Sequence, residues 1–494
     1  MRNILVLIGF IVFLLWGAAA TPGAEEMQTQ GPDGKEVQKE VRVVSLEECI
    51  DIALQNNHTR PVSRFAVEIA EAQYKQAMSS YWPQIAAKAT YSIMDQDPNF
   101  IFPAMNVNTP PINFIVSTPL GPIPVSLPAQ SITVPEQDIK LMDKQNIVAS
   151  LNLTYPLYTG GLRSALVKQA KEGIQAAREE ARRTDLQVVY DVRRMYYGAV
   201  LSHELLEISR DALARMEVTL ELTENLYTKG SGRIKKTDFL RNKTVVEGLR
   251  SAVAQLEANE KLAKAALTNT MGLDWDTPIE VSEPQLPFVT YQADLKELVR
   301  NAYLFNPDWA RIEAGLKAAE AKIDEAKSGH FPKVALFGNL THIENSYDKG
   351  IVTPTNKDSW TIGLGLELPL FSGFRTTYEV KEAHARLERL REQKVLLREG
   401  IALQVKHLFI TMMSTQDQKK ASGEAAKAAE ENRDLNERAY QEELVETKDV
   451  IEAQLIESFM KAQYQKALYD HIEAQAHLDL IVGREVSRLL YGDK

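Results

Sequence analysis

The sequence predicts a mainly α-helical protein with a small membrane-spanning β part, built as a tandem structural repeat. Three observations support this fold class. Two helical patterns are several times longer than an average helix, four short segments alternate apolar and polar residues with the period of a strand, and the second half of the chain repeats the order of elements found in the first half.

The amino terminus has the features of an exported protein. A charged start is followed by an apolar run from Ile4 to Trp16 and by small residues up to Ala20. This pattern predicts a secretory signal peptide over residues 1–20, and a retained amino-terminal anchor is the alternative. Residues 21–44 are polar and aperiodic at first, and we expect a flexible lead.

Composition excludes several classes of function. The formal net charge of −10 argues against a nucleic-acid-binding protein, which would present a basic surface. The single cysteine, Cys49, lies inside the first helical pattern, so it is neither a lipid anchor at the cleavage point nor part of an internal disulfide. Stability must therefore come from packing or assembly.

The first repeat spans residues 45–273. Its elements follow from hydrophobic period and from proline and glycine positions. In order they are a helix from Ser45 to Trp82, a strand from Ile85 to Ile93, a Pro-rich loop over 95–145, a strand from Ile147 to Tyr155, a very long helix over 161–228, and a helix from Ile234 to Met271.

The second repeat spans residues 293–483, after a connector over 274–292 and before a tail over 484–494. The segment from Leu46 to Pro83 aligns without gaps with the segment from Leu295 to Pro332. Farther along, Pro156, Gly160 and Tyr227 match Pro369, Gly373 and Tyr440, and the loop between the strands is longer in the first repeat. The chain is therefore a tandem duplication.

Helix lengths predict a pillar. The long helix of the first repeat, about 68 residues, would measure roughly 100 Å, and the two shorter helices of about 38 residues would together measure about 114 Å. Two shorter helices stacked end to end therefore match one long helix beside them.

Each repeat supplies two strands of about 10 residues, long enough to cross a bilayer when tilted. Open sheet edges are excluded from lipid and barrels begin at about eight strands, so two or three chains must share one barrel. In the last strand Ile362, Leu364, Leu366 and Leu368 would face lipid, whereas Thr361, Gly363, Gly365 and the lumen-facing Glu367 would face water. A soluble sheet packed on helices is the alternative.

The strand-to-helix junctions combine turn residues with aromatic residues. Prolines and glycines are expected to end strand pairing and redirect the chain at Pro83, Pro156, Gly160, Pro332, Pro369 and Gly373. An aromatic girdle at the membrane surface is predicted from Tyr81, Trp82, Tyr155, Tyr158, Phe331 and Phe371.

These marks, doubled and in order, resemble the bacterial outer-membrane efflux proteins, the TolC-like channels. The resemblance rests on Asn306-Pro307 near the second repeat's start, on the Pro83 and Pro332 stops, and on the PLYTGG and PLFSGF turns. It implies a homotrimer with a twelve-stranded barrel in outer-membrane lipid and a helical barrel in the periplasm. It further implies docking to a periplasmic adaptor and, through it, to an inner-membrane pump.

The resemblance also implies site residues. Acidic side chains near the end of the second long helix would ring a periplasmic aperture, at Glu431 and Asp434, unless these belong to a solvated acidic helix face. Adaptor-docking tips correspond to Gly230, Gly232 and Asp238 and to Leu444, Val445 and Asp449. The second tip lacks the glycine of the family pattern, and both aspartates are equally explained as helix caps.

The sequence contains no catalytic motif and no cofactor-binding motif, so an enzyme is not predicted. The competing hypothesis is an exported periplasmic coiled-coil scaffold. It explains the helices but gives no role to the paired strands or to the aromatic junctions.

Overall fold

The computed structural model describes residues 41–141, 143–230, 234–290, 294–345, 357–442 and 444–483. The predicted signal peptide, the lead up to residue 40, Gly232 and the tail lie outside these ranges. In the described ranges the helices are α1 Leu46–Asn56, α2 Thr59–Ser79, α3 Leu162–Thr228, α4 Lys236–Thr270, α5 Leu295–Phe305, α6 Pro307–Ser328, α7 Arg375–Gln441 and α8 Thr447–Val482. The strands are β1 Arg42–Val44, β2 Gln84–Ile93, β3 Asn99–Phe102, β4 Met105–Thr109, β5 Ile112–Thr118, β6 Gly121–Leu127, β7 Gln130–Val134, β8 Gln137–Lys140, β9 Gln145–Tyr158, β10 Ile279–Val281, β11 Lys333–Asn345 and β12 Asp358–Glu367.

The two long helices, α3 and α7, have 67 residues each and form the frame of the bundle. Helices α2 and α4 both pack along α3, and α6 and α8 both pack between α3 and α7. Each pair of shorter helices therefore lies end to end beside a long helix, as the lengths predicted.

The prediction of one helix from Ser45 to Trp82 is wrong, because the structure breaks it between α1 and α2. The break is made by Asn57, whose Oδ1 accepts from the Thr59 amide at 2.9 Å and caps α2. Its Nδ2 donates to the Thr270 carbonyl at 2.8 Å, at the end of α4. The same side chain thus starts one helix and satisfies the last turn of another.

The second repeat contains the same device. The Asn306 Oδ1 accepts from the Asp308 amide at 2.8 Å and starts α6, while its Nδ2 donates to the Ile481 carbonyl at 3.1 Å at the end of α8. The glycine that follows the stacked helix is left-handed in both repeats, at Gly272 and Gly483. The asparagine matched between the repeats is therefore the joint where stacked helices meet.

The lead and the connector are more ordered than predicted. Arg42–Val44 forms β1, which pairs in parallel with β10 from the connector, so the prediction of flexibility up to residue 44 is wrong. The reason is burial: the Val44 side chain is fully buried in the core with Cys49 and Leu186. An apolar side chain held in a core orders the backbone that carries it.

The main sheet is antiparallel and has four strands in the order β12-β11-β9-β2. Strand β9 continues through Pro156 to Tyr158, so the prediction that Pro156 ends the strand is wrong. Pairing of β9 with β2 stops at Thr154, and beyond that point only β11 remains as a partner, with a register shift that leaves Leu157 unpaired. A proline is tolerated where one side of a strand is free and at a bulge.

The Pro-rich segment predicted as a loop over 95–145 is folded. It contains β3 to β8, which pair as β3·β8, β4·β7 and β5·β6 around a turn at Pro119 and Leu120. The prolines fall at the turn, between the paired pieces and within β6, so they divide an antiparallel ribbon without preventing it.

Two buried clusters hold the helical part together. The larger is built where α3 crosses α1 and the end of α4, and its centre includes Cys49, Tyr196 and Leu267. The smaller joins α5, α7 and α8 around Val405 and Leu478. Among the residues that the structure describes, no helix is long and apolar enough to cross a membrane.

Candidate functional site

One face of the main sheet is apolar across all four strands. The register brings Ile85, Leu153, Gly338 and Ile362 into one row, and the rows on either side, as far as Leu340 and Trp360, are also apolar. Beyond that row the same face carries His342, Glu344 and Asp358. The large apolar members are Ile85, Tyr91, Ile147, Leu151, Leu153, Leu336, Leu340, Trp360, Ile362, Leu364 and Leu366. The predicted lipid-facing residues Ile362, Leu364 and Leu366 are 62%, 68% and 70% exposed, and Leu368 lies one residue beyond β12. In the residues that the structure describes, no segment of a single chain covers this face.

The opposite face is mainly polar. Asn339 donates to Asn152 at 2.6 Å across β11 and β9, and Ser92 donates to Asn146 at 3.0 Å across β2 and β9. Glu367 shares this face with Thr361, Gly363 and Gly365 and lies opposite Lys333. The sheet therefore separates an apolar surface from a hydrogen-bonding surface, as the alternation predicted.

Phe337 is an exception on the polar face, and it explains a glycine. A Cβ placed on Gly363 would lie 2.7 Å from the Phe337 ring, which is too close for any side chain. The absence of a side chain at Gly363 thus accommodates the Phe337 ring on the face that the alternation predicts to be polar.

The sheet has two unpaired edges, β2 and β12, each 10 residues long. Neither edge is paired by another described segment of the chain. A long unpaired edge beside an exposed apolar face calls for a partner, because backbone groups must be satisfied once water is removed.

The predicted junction residues do not all share one role. Pro83 and Pro332 lie immediately before β2 and β11, whereas Pro369 lies two residues after β12 and Pro156 lies inside β9. Gly160 and Gly373 both have φ of 63° and precede the long helices. Only Gly160 is also crowded, since a Cβ there would lie 2.6 Å from the Phe331 Cβ.

The predicted aromatic residues lie at these junctions with different exposures. Trp82 and Phe371 are 69% and 77% exposed, Phe331 and Tyr158 are about half exposed, Tyr155 is half-buried within β9, and the Tyr81 ring lies under the Arg163 guanidinium. Sequence reasoning missed Phe374, which contacts Phe371 edge to face at 5.4 Å. Phe374 has a φ of 64°, where the first repeat has Gly161, so an exposed ring is retained at a strained position.

The predicted aperture residues lie near the end of α7. Glu431 is exposed, and Asp434 is half-buried and accepts from the Arg433 Nε at 2.9 Å. This hydrogen bond and the positive charge of Arg433 lower the pKa of Asp434. The two carboxylates are one turn apart, but only Asp434 has a cationic partner among the described contacts.

Arg433 belongs to a buried ionic cluster that sequence reasoning missed. Its Nη1 donates to Glu457 Oε1 at 2.7 Å, and Lys461 Nζ lies 2.7 Å from the same oxygen. Arg215 from α3 lies 3.9 Å from it. The cluster joins α3, α7 and α8, and the Glu457 side chain is only 2% exposed. A signal was available, because Arg433 lies on the same seam of α7 as the buried Ala429 and Tyr440.

A second polar layer lies closer to the tips. The Tyr440 hydroxyl is 2.9 Å from Thr223 Oγ1 and 3.0 Å from Thr447 Oγ1, and Asn242 donates to Thr223 at 3.3 Å. All four helices that meet at the tips, α3, α4, α7 and α8, contribute to this layer. Buried hydrogen bonds of this kind define the register of packed helices.

Both predicted docking tips are turns between helices. Asp238 and Asp449 accept from the amides of Lys235 and Glu446, at 3.0 and 3.1 Å, so each caps the helix that follows its turn. Gly230 is left-handed after α3. Leu444 is 77% exposed beside the half-buried Val445, so among the described residues an apolar side chain is left uncovered at the second tip.

Comparison with known proteins agrees with the fold. The family described as outer membrane efflux protein matches residues 49–273 and 298–484. Curated relatives include Protein CyaE of Bordetella pertussis, 28% identical over 50% of this chain and 51% of the relative. Another is the toluene efflux pump outer membrane protein TtgC of Pseudomonas putida, 26% identical over 44% of each chain. The chain spans about half the length of the curated relatives it matches.

Solved structures extend the likeness to nearly the whole chain. The outer membrane protein VceC of Vibrio cholerae has a TM-score of 0.68 at 19% identity, covering 89% of this chain and 96% of that one. A membrane protein from Pseudomonas aeruginosa has a TM-score of 0.70 at 19% identity, covering 94% and 100%. The TolC-like fold is thereby confirmed, and the chain belongs to the outer membrane efflux protein family.

Proposed function

We propose that three copies of this chain form an exit duct in the outer membrane. Three four-stranded sheets close edge to edge, β2 of one chain against β12 of the next, into a twelve-stranded barrel. The helices continue as a barrel through the periplasm. The duct passively conducts substrates from a periplasmic adaptor and an inner-membrane pump to the outside. The single observation that carries the proposal is the one-sided sheet with two free edges.

Backbone hydrogen bonding requires this closure. In lipid every backbone amide and carbonyl needs a partner inside the protein, and a four-stranded sheet leaves two edges open. Closure with two other sheets pairs both edges, turns the face containing Leu364 towards lipid and encloses the face containing Asn152 and Glu367. The aromatic residues around Trp82 and Phe371 then lie at the level of the membrane surface.

The experiment combines assembly with conduction. Outer-membrane extracts should contain a trimer that resists dissociation by heat, and the purified trimer should conduct ions across a planar bilayer. A soluble monomer without conductance would support the periplasmic scaffold and overturn the proposal. A variant with Leu364→Asp and Leu366→Asp should fail to assemble, because charge on the lipid face is destabilising. Thr361→Asp, on the opposite face, is the matched control and should assemble.

We propose further that Glu431 and Asp434 narrow the periplasmic end. Three copies of each carboxylate around one axis would attract cations and repel anions. Replacing both by Ala should raise conductance and weaken block by multivalent cations. Arg433 keeps its bond to the buried Glu457 in this variant, so the helices remain joined. Glu424→Ala, an exposed position on the same helix, should leave conductance unchanged. Unchanged conductance in the double variant would remove these residues from the aperture.

The tips are the proposed docking surface for the adaptor. Their aspartates already serve as helix caps, so we assign adaptor contact to the exposed Leu444 and the half-buried Val445 rather than to Asp238 or Asp449. Leu444→Asp should reduce adaptor binding without changing trimer assembly or conductance. Unchanged adaptor affinity would exclude this tip.

A further inference from the structure

The antiparallel ribbon formed by β3 to β8, residues 99–140 and called the ribbon below, is a direct extension of the β2–β9 hairpin. The Met94 amide donates to the Lys144 carbonyl at 2.7 Å, and the Leu141 amide donates to the Pro98 carbonyl at 2.8 Å. An ion pair between Asp97 and Lys140 lies at its base. The ribbon therefore grows out of β2, which is one of the two free edges of the main sheet.

The middle piece of the ribbon, β4·β7, has one apolar and one polar side, and in the other two pieces one side is mainly apolar and the other is mixed. The register places apolar residues opposite one another, as in Val107 with Ile132 and Phe114 with Val125. The alternate positions carry Asn, Ser and Thr that bond across the strands, since Ser126 donates to Asn113 at 2.6 Å and Thr133 donates to Asn106 at 2.8 Å, and they also carry Ile101 and Ile115. The polar groups of one side therefore hydrogen-bond to one another, whereas the apolar residues of the other side remain exposed.

Within the described part of the chain, no segment covers that apolar side. Phe100, Met105 and Phe114 are 53%, 55% and 44% exposed. Contiguous exposed apolar surface of this kind marks an interaction site.

Charge and proline positions restrict what can cover it. No charged residue occurs from Pro98 to Pro135, so the outer part of the ribbon offers no charge that would select a charged partner, and Glu136, Asp138 and Lys140 lie at its base. Pro103 and Pro135 divide the first piece from the second on both strands, which limits strand addition at an edge to runs of four to seven residues. Of the possible modes of binding, association through the apolar face is the one that these features favour.

Geometry favours further copies of the same ribbon. In the proposed trimer the three β2 strands are evenly spaced around a ring that, with twelve tilted strands about 4.8 Å apart, is roughly 25 Å across. Each arm of the ribbon has about 20 residues and reaches about 65 Å when extended. Three ribbons, each without charge between Pro98 and Pro135 and each with a mainly apolar face, therefore start close together and are long enough to meet.

We propose that the three ribbons of one trimer pack their apolar faces against one another and form a collar at the outer end of the duct. The inference rests on the proposed trimer. It assigns to the ribbon an interface between copies of this chain. In this interface the side of the ribbon that contains Phe114 is buried, and the side that contains Asn113 remains in water.

Site-specific cross-linking tests the collar. The native Cys49 is fully buried, and burial raises the pKa of its thiol to about 12, so it gives no background reaction with maleimides. Phe114→Cys places a thiol on the apolar face, and the adjacent Asn113→Cys places one on the polar face as the matched control. The full-length trimer in outer-membrane vesicles is treated with a short bis-maleimide and separated on a denaturing gel.

We expect at least tenfold more cross-linked dimer for Phe114→Cys than for Asn113→Cys, in particles that still have the size of one trimer. Equal or absent cross-linking in an intact trimer would overturn the collar. Linkage between two trimers, seen as a doubled particle size, would also overturn it. So would labelling of Phe114→Cys by a water-soluble maleimide only after removal of the bilayer, since lipid would then be the cover.

A second pair protects the test against misfolding. Val116→Cys and Ser117→Cys are neighbours on opposite faces of β5 and should repeat the contrast. Particle size separates the two proposals: a chain that is not trimeric contradicts the proposed function itself, whereas an intact trimer without ribbon contacts contradicts only the collar.

Discussion

Glu457 is the side chain on which the ionic cluster near the tips depends. Its Oε1 lies 2.7 Å from both Arg433 Nη1 and Lys461 Nζ, in a setting where the Glu457 side chain is 2% exposed and that of Arg433 is 7% exposed. Replacement by Gln keeps the shape and removes the charge. The two cations then lose their shared carboxylate in a region with little water.

The magnitude follows from the partners that remain. Removing one member of a buried ion pair costs about 3–5 kcal/mol when the other is left uncompensated. Here Arg433 keeps Asp434, and the 31%-exposed Lys461 keeps Glu430 at 3.3 Å. We therefore expect Glu457→Gln to lower the free energy of local opening by about 2–3 kcal/mol, which corresponds to a roughly 30- to 150-fold increase in the local opening equilibrium.

Hydrogen exchange on the assembled protein measures this opening. Amides around Glu457 in α8 and around Arg433 in α7 should exchange faster by that factor in Glu457→Gln, while amides near Leu478 should be unchanged. Glu424→Gln, which removes an exposed pair with Lys427, should change exchange less than threefold. If Glu457→Gln also stays within threefold, the cluster does not hold the tips, and the reasoning from burial is refuted.

Three further predictions concern other positions. Gly160→Ala should destabilise the start of α3 by at least twice the roughly 1 kcal/mol expected for Gly373→Ala, because both have positive φ but only Gly160 is crowded; trimer melting temperatures check this, and equal shifts would contradict it. Asn306→Ala should cost about 2–4 kcal/mol through a lost cap and an unsatisfied buried carbonyl, with faster exchange confined to the second-repeat joint. Cation block that depends on Asp434 should persist from pH 7 to pH 5, since the lowered pKa of this carboxyl keeps it ionised. Arg433→Gln removes the hydrogen bond that lowers this pKa and should move the loss of block to higher pH. Identical profiles of block against pH in the two proteins would exclude the Arg433–Asp434 pairing.

Much of the fold followed from local pattern. Both long helices end within a few residues of the predicted positions, because helical period over more than 60 residues leaves little ambiguity. The alternation in β12 correctly separated Leu364 and Leu366 from Thr361 and Glu367. The duplication was visible because matched residues, such as Asn57 and Asn306, do the same work in both repeats.

Other features depended on neighbours that are distant in sequence. Pro156 was expected to end a strand, yet it continues one because β2 stops pairing at Thr154 and leaves a free side. Val44 was assigned to a flexible lead, yet it is buried by packing against residues of α3. Arg433 was overlooked because its role depends on Glu457, which lies on the next helix, α8.

The sequence by itself determined the lengths of the two long helices, the order of elements, the duplication and the apolar side of the main-sheet strands, since these depend on periods and turn residues within one segment. The tertiary structure alone decided which side chains join the stacked helices, where a proline is tolerated, which charges are buried together, and that the Pro-rich segment is a paired ribbon. The physical reason is that hydrogen bonding and burial are satisfied between segments. A residue's neighbours in space, which local pattern does not specify, decide whether it ends a strand, caps a helix or holds a buried charge.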